Sequence, residues 1–170
     1  MDLSNTQLYV RAQIVRANNE VIEAVDHVGP TNLFLHSLFS EVDITLNDTL
    51  VTASNNTYAY RSYLETLLSY GTGTKTSQLT SALYYKDTAS HLENANPHDD
   101  AAETMECKRR STLTDEGRVV DMLGCIHSDL FFQDHFLPND ININHGRGSS
   151  PAHYFTVAAT LDKSLTSHCL

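Results

Sequence analysis

Two short β-branched runs, residues 42–46 (VDITL) and 49–52 (TLVT), are separated in this chain by only two residues. The separating pair, residues 47–48 (ND), tolerates positive φ, which is the pattern of a two-residue β-hairpin turn. In that register Ile44 faces Val51, so one face of the hairpin carries Val42, Ile44, Leu46 and Val51 and the other carries Asp43, Thr45 and Leu50. The first of these faces is predicted to be buried and the opposite face to be mostly solvated.

Helical patterns flank the predicted hairpin on both sides. Downstream, Thr57 is a predicted N-cap for a helix that ends just before Gly71, a predicted C′ residue. The apolar stripe of this helix is predicted to face the core, and it consists of Tyr60, Tyr63, Leu64, Leu67 and Leu68. Upstream, residues 32–39 (NLFLHSLF) fit either a short helix or a buried strand, and the break at residues 29–30 (GP) favours the helix.

The remaining segments add strands and a long loop. Residues 7–16 alternate as a half-buried strand, and residues 118–130 carry apolar side chains on both faces, as a central strand does. Residues 75–85 are predicted to form a second short helix, whereas the polar residues 87–117 are predicted to form a surface loop with one helical turn. Together these patterns predict an all-β fold with short helical insertions, built as an antiparallel β-sandwich.

Three blocks of the chain match one known family in order and approximate spacing. The first block contains residues 29–33 (GPTNL), 35–40 (LHSLFS), 42–43 (VD), 46–51 (LNDTLV), 60–61 (YR) and 65–71 (ETLLSYG). The second contains residues 77–80 (SQLT) and 85–89 (YKDTA), and the third spans residues 118–134 and ends in IHSDLFFQD. In these blocks the chain resembles the double-jelly-roll major capsid proteins of Polinton (Maverick) elements and adintovirus-like viruses, with their relatives in animal genomes.

The resemblance implies a jelly-roll β-sandwich over residues 1–143, corresponding to the first roll of a double jelly roll. Residues 144–170 are expected to be a divergent tail, and disorder is one expectation for it. The resemblance also implies a structural protein that assembles with itself as a homotrimer when full length and with other capsid proteins, without catalysis or cofactor. We expect the 170-residue chain not to form particles alone. The candidate assembly or family-motif residues are Leu35, His36, Ser37, Leu38, Phe39, Asn47, Tyr60, Arg61, Glu65, Tyr70, Gly71, His127, Asp129, Phe131 and Phe132.

Charge and composition bear on partners and location. The net charge is −10, so the chain lacks the positive field that holds a nucleic-acid backbone, and direct nucleic-acid binding is not expected. The short basic run at residues 108–110 (KRR) is interpreted as a solvated face. No apolar run approaches the length of a membrane span, and three widely spaced cysteines fit reduced thiols. The expected location is the virion for a viral protein, and otherwise the cytoplasm or nucleus.

Other functions remain as alternatives. A metal-dependent enzyme built on His127, Asp129 and His135 is the least favoured alternative; it depends on His127 and Asp129 pointing the same way, as alternate residues of a strand do. His36 is interpreted as a hydrogen-bonded core or interface histidine in preference to a general base. The chain lacks the G-x-S-x-G motif of hydrolases and the complete phosphate-binding loop. The main alternative to a capsid role is a jelly-roll module recruited by a host to bind a peptide or a carbohydrate.

Overall fold

The computed structural model describes residues 2–16, 20–23, 28–52, 56–86, 105–133, 135–138, 141–149 and 155–160. The strands are β1 (Gln7–Arg16), β2 (Phe39–Leu46), β3 (Thr49–Leu50), β4 (Val119–Cys125), β5 (Ile143–Ser149) and β6 (Phe155–Thr160). The α-helices are α1 (Phe34–Ser37), α2 (Tyr58–Ser69), α3 (Thr72–Thr76) and α4 (Met105–Thr114). Short 3-10 turns occupy Gln78–Ala82, Asp115–Gly117 and Asp129–Phe131.

The strands form two small antiparallel sheets. One has the order β4-β1-β6 and the other the order β3-β2-β5. Strand β1 covers the predicted segment, and its alternate residues Leu8, Val10, Ala12 and Ile14 are buried, as the pattern predicts. The hairpin register is also confirmed: Leu46 pairs with Thr49, and both turn residues have positive φ.

The prediction of an all-β jelly-roll sandwich is wrong. The described residues form a mixed α/β structure whose two small sheets neither close nor make a sandwich. The helices within residues 58–82 were predicted as insertions in a sandwich, but the described strands divide into two separate three-stranded sheets that do not stack on each other. A second reason is β4, which lies at the edge of its sheet and ends at Cys125, so it is not the long central strand that was predicted.

The orientation of α2 is the opposite of the prediction. The helix has the predicted bounds, with Thr57 before it and Gly71 after it, but it buries Tyr58, Ser62 and Thr66. Of its predicted inward stripe, Tyr60, Leu64, Leu67 and Leu68 are exposed, whereas Tyr63 is partly buried and packs against the core. Small side chains on the inner face let the helix backbone approach α1 and β2 closely, which leaves its large apolar side chains on the outside.

Other predictions for the connecting segments were partly right. The short helix after the break at residues 29–30 is α1, but residues 72–74, expected to be a flexible connector, begin α3. The polar segment 87–117 contains the ten-residue helix α4 near its end, and residues 87–104 lie outside the described part. Strands β5 and β6 lie at and beyond the predicted boundary at residue 143, and the division into a domain and a tail stays a prediction.

The hydrophobic core collects residues from both sheets and from α1. Its fully buried members include Val10 of β1, Leu35 of α1, Ile44 of β2 and Met122 of β4. Among the described residues, no helix is long and apolar enough to cross a membrane.

Candidate functional site

The hydroxyl of Tyr58, the first residue of α2, is the centre of a buried polar cluster. Its oxygen lies 3.1 Å from Nδ1 of His36 and accepts a hydrogen bond of 3.4 Å from the backbone N–H of His127. The two histidine rings meet edge to face, with their centroids 4.7 Å apart. Both histidines are almost fully buried, at 2% and 3% exposure. Tyr58 therefore joins α2 to two elements that are distant in sequence.

Local backbone features bring each group to this point. Leu33 takes the left-handed conformation with φ of 57°, and the chain then turns into the single helical turn α1 that carries His36. Strand β4 ends at Cys125, and the next three residues are buried, which places His127 beneath α2. The cluster thus depends on a helix start and a strand end.

An outer chain of charged groups continues the cluster to the surface. Glu65 Oε2 accepts a 2.8 Å hydrogen bond from His127 Nδ1, and its other carboxylate oxygen accepts a 2.6 Å bond from Nε of Arg61. A terminal nitrogen of Arg61 donates to Oδ1 of Asp129 at 2.5 Å. Asp129 is 86% exposed, so the pairs pass from a buried histidine to solvent within three links. Charge-assisted bonds of this kind orient their side chains strongly.

Burial keeps the inner groups uncharged. Desolvation, with a smaller contribution from the neighbouring His127, lowers the pKa of His36 to about 3. Desolvation also lowers the pKa of His127, although the hydrogen bond and charge of Glu65 oppose that change. Burial raises the pKa of Tyr58 to about 12. At neutral pH the centre of the cluster is therefore two neutral imidazoles around one neutral phenol.

A pocket of about 380 Å³ adjoins the cluster. Its walls come from β2, the residues just after β3, the start of α2 and residues 127–133. Tyr58 is its one tyrosine, and no phenylalanine lines it, so it lacks the broad aromatic platform on which sugar rings stack. His127 lines this pocket, but its Nδ1 is engaged by Glu65 and its ring is buried. These contacts hold residues 127–133 against α2.

The metal alternative finds no geometric support among the described residues. Within them, no group of three or more His, Cys, Asp or Glu side chains is arranged to hold a metal ion. His127 bonds Glu65, Asp129 bonds Arg61, and His135 is exposed. The strand geometry that predicted a shared direction for His127 and Asp129 does not apply, because β4 ends before both of them.

The structure brings six of the candidate residues together and separates the others. The six in or beside the cluster are His36, Arg61, Glu65, His127, Asp129 and Phe132, whose ring centroid lies 5.7 Å from that of His127. Leu35, Phe39 and Phe131 are buried in the core, with Ser37 and Leu38 partly buried beside them. Tyr60 and Gly71 are exposed, Tyr70 is partly buried, and Asn47 at the hairpin turn exchanges two hydrogen bonds with Asn142.

Sequence reasoning missed the central member of the cluster. Tyr58 is absent from the candidate residues that the sequence predicts. The signal that identifies it is the spacing of Tyr58, Ser62 and Thr66, which places one tyrosine on a helix face of small polar residues. A tyrosine on such a face can bury its ring and still needs a partner for its hydroxyl.

Removing only the Tyr58 hydroxyl is expected to destabilise the protein. Tyr58→Phe keeps the ring but leaves the His127 N–H and the His36 ring without their partner, so the free energy of unfolding should fall by about 1–3 kcal/mol. Urea unfolding followed by circular dichroism measures this. Tyr60→Phe is the matched control, since Tyr60 lies two residues away on the same helix and is 70% exposed. Equal stability of the two variants would show that the Tyr58 hydroxyl contributes nothing to stability.

Comparison with known proteins gives a limited likeness. The chain is 27% identical over 94 residues to the uncharacterized protein F54H12.2 of Caenorhabditis elegans, a match that covers 51% of this chain. The match spans 22% of that protein, so the chain corresponds to about a fifth of the length of the curated relative. No protein-family model matches the chain. No solved structure matches it either.

Proposed function

We propose that this chain is part of a structural, non-catalytic subunit of capsid type, which acts by assembling with copies of itself and with other capsid proteins. The observation that carries the proposal is the outward apolar side of α2, where Tyr60, Leu64, Leu67 and Leu68 are exposed. Large apolar side chains grouped on a rigid surface are typical of sites that another protein covers. The same helix turns its small polar residues inward, so the exposure is a property of how it packs.

Two further features support an assembly role. Hydrogen bonds connect the polar cluster beneath α2 from His36 to Asp129, and such a network is suited to holding the helix in place. The net charge of −10 suits a shell component better than a protein that contacts the genome. The blocks that resemble capsid proteins of Polinton-like elements include residues of α1, α2 and the turn at residues 126–131. On this proposal the protein resides in the virion where its source is viral, and otherwise in the cytoplasm or nucleus.

The test is the size of the assembly that contains this chain in its natural source. An antibody raised against the chain is used to follow it through gradient sedimentation of a native extract, and the fast fractions are imaged by electron microscopy. We expect the chain in particles or capsomer-sized complexes together with other capsid proteins. Recovery of the chain only as a monomer would overturn the proposal.

The pocket beside Tyr58 is the observation that favours the alternative function, a module that binds a peptide or a carbohydrate. Its volume of about 380 Å³ lies within the usual range for small ligand sites. Gln133→Trp would put an indole at the pocket wall, so a genuine ligand should lose its affinity in that variant. Binding of a peptide or glycan by the natural chain, lost in Gln133→Trp and accompanied by a monomeric state in the native extract, would place this alternative first.

A further inference from the structure

We propose that the pocket of about 380 Å³ binds an uncharged, extended segment of another protein. In this arrangement the Ser128 hydroxyl and the Arg61 guanidinium donate hydrogen bonds to a main-chain carbonyl oxygen of the segment. One aliphatic side chain of the segment packs against Val42, Val51 and Leu130, which line the same pocket. The inference goes beyond the proposed assembly function and does not depend on it.

Ser128 is the residue that points to a ligand. It lies in the turn after β4 and is only 5% exposed. Its backbone N–H donates to the carbonyl oxygen of Ile126 at 3.1 Å, and its own carbonyl oxygen accepts from the N–H of Phe131 at 2.9 Å. Its hydroxyl, in contrast, has no hydrogen-bond partner among the described residues, and it opens to the pocket that Ser128 lines. A hydroxyl fixed in this way is a donor ready for an acceptor that fills the pocket.

Arg61 and Thr52 add further donors at the pocket wall. Arg61 donates from Nε to Glu65 at 2.6 Å and from one terminal nitrogen to Asp129 at 2.5 Å, which fixes its direction. Its other terminal nitrogen has no partner in the part of the chain that the structure describes. The Thr52 hydroxyl accepts from the backbone N–H of Ile44 at 2.9 Å, so its own hydrogen remains to be donated. Donors that are already oriented bind an acceptor with little loss of conformational freedom.

The charges around the pocket favour an acceptor that is uncharged. A lysine ammonium has donors only, so it cannot accept from the Arg61 guanidinium. A phosphate or a carboxylate can accept, but it would approach the carboxylates of Glu41 and Asp129, which line the same pocket. The charge of Arg61 is already balanced by the two carboxylates that it bonds. A main-chain carbonyl oxygen accepts hydrogen bonds without bringing a charge.

The rest of the lining favours a peptide over a sugar. Val42, Val51 and Leu130 offer aliphatic surface for a side chain, and the described lining has no broad aromatic platform for a sugar ring. The exposed amide of Gln133 can both donate to a peptide group and accept from it. Helices and sheets use their own carbonyl groups, so an unbonded main-chain carbonyl is found on an extended segment. The pocket lies at the small end of the usual range for ligand sites, which suits one side chain and its neighbouring peptide groups.

A titration with capped peptides tests the inference on the full 170-residue chain. The probe is acetyl-GALAG-amide, and two matched peptides carry lysine or glutamate in place of the leucine. Binding is followed through the NMR chemical shifts of the protein, including the Nε–H signal of Arg61. We expect the leucine peptide to bind about tenfold more tightly than either charged peptide, because a charge placed against the aliphatic wall loses its hydration.

Ser128→Ala distinguishes a hydroxyl that binds a ligand from one that holds the fold. Its affinity for the leucine peptide should fall about fivefold, as the loss of one hydrogen bond implies. Its urea midpoint should not fall, because the hydroxyl bonds none of the described residues. Ser62→Ala is the matched control, since Ser62 is fully buried outside the pocket and its hydroxyl donates to the carbonyl oxygen of Ala59. This control should bind the peptide with unchanged affinity.

Other results would overturn the inference. The absence of any shift with the three peptides, or equal affinity for all of them, would show that the pocket does not select an uncharged aliphatic segment. Unchanged binding by Ser128→Ala, or a lower urea midpoint for that variant, would remove the hydroxyl from the site. Methyl glucoside binding as tightly as the leucine peptide would assign the pocket to carbohydrate. Sedimentation of the native extract tests the proposed assembly function separately from all of these results.

Discussion

Leu35→Ala is expected to lower the free energy of unfolding by about 2–5 kcal/mol, since the side chain is fully buried and its loss leaves a cavity. Leu35 lies on the single-turn helix α1, next to His36, and packs onto β4 at Gly124. A Cβ atom built at Gly124 would lie 2.7 Å from Cδ2 of Leu35 and 3.2 Å from Nε2 of His36. The position therefore requires glycine for close approach of the strand to α1.

The packing of Leu35 on Gly124 predicts a specific non-additive effect. Gly124→Ala alone should cost about 1–3 kcal/mol, because the added methyl overlaps a buried side chain. In the Leu35→Ala background the same methyl enters the cavity, so the double variant should be at least about 1 kcal/mol more stable than the sum of the single effects. Chemical denaturation of the four proteins measures this cycle, and strict additivity would contradict the contact.

Local patterns predicted the elements that depend on local chemistry. The alternation in residues 7–16 predicted β1 and its buried side, and the residue pair 47–48 predicted the hairpin register. The bounds of α2 also agree with the predicted positions of Thr57 and Gly71, although the Thr57 side chain makes no capping hydrogen bond and Gly71 has an extended conformation with φ of −72°. In each case the backbone preference and the deciding residues lie within one segment.

The direction in which α2 faces could not be predicted in the same way. Periodicity identifies an apolar stripe, but it does not say whether that stripe meets the chain's own core or another molecule. The sequence pattern predicts Leu64 and Leu68 as core residues, whereas the helix, which contacts α1 and β2, buries Ser62 and Thr66. How closely α2 lies against α1 and β2 depends on the tertiary structure. The sequence of α2 alone therefore does not show which of its sides is buried.

The polar cluster was beyond sequence reasoning for a related reason. His127 and Tyr58 are 69 residues apart, and their contact exists because β4 ends at Cys125 and the chain turns inward. The strand was predicted to continue to residue 130. In such a strand the side chain of His127 would project from one face of the sheet and would not lie beneath α2. Arg61, Glu65 and Asp129 were named through the family resemblance, but their mutual pairing was not foreseen.

Acid is expected to destabilise the protein through its buried histidines. His36 has a pKa of about 3 when folded and 6.5 as the ordinary value, so between these values the unfolded state binds a proton that the folded state does not. The stability that comes from burying an uncharged His36 is fully present above pH of about 6.5 and is lost as the pH falls towards about 3. From pH 7 to pH 5 the free energy of unfolding should drop by about 2 kcal/mol from His36 alone. The lowered pKa of His127 acts in the same direction.

The variant His36→Gln separates this effect from general acid sensitivity. Glutamine keeps a polar group beside the Tyr58 hydroxyl but does not titrate, so the variant should be less stable at pH 7 and lose about 2 kcal/mol less than the natural chain on acidification to pH 5. His135→Gln is the control, because His135 is exposed and makes no contact with Tyr58 that the cluster uses, so His36 stays in place. Urea midpoints at pH 7, 6 and 5 decide between these results. If His36→Gln lost as much stability on acidification as the natural chain, protonation of groups other than His36 would cause the loss. The neutral state of His36 would then not be what stabilises the packing of α2.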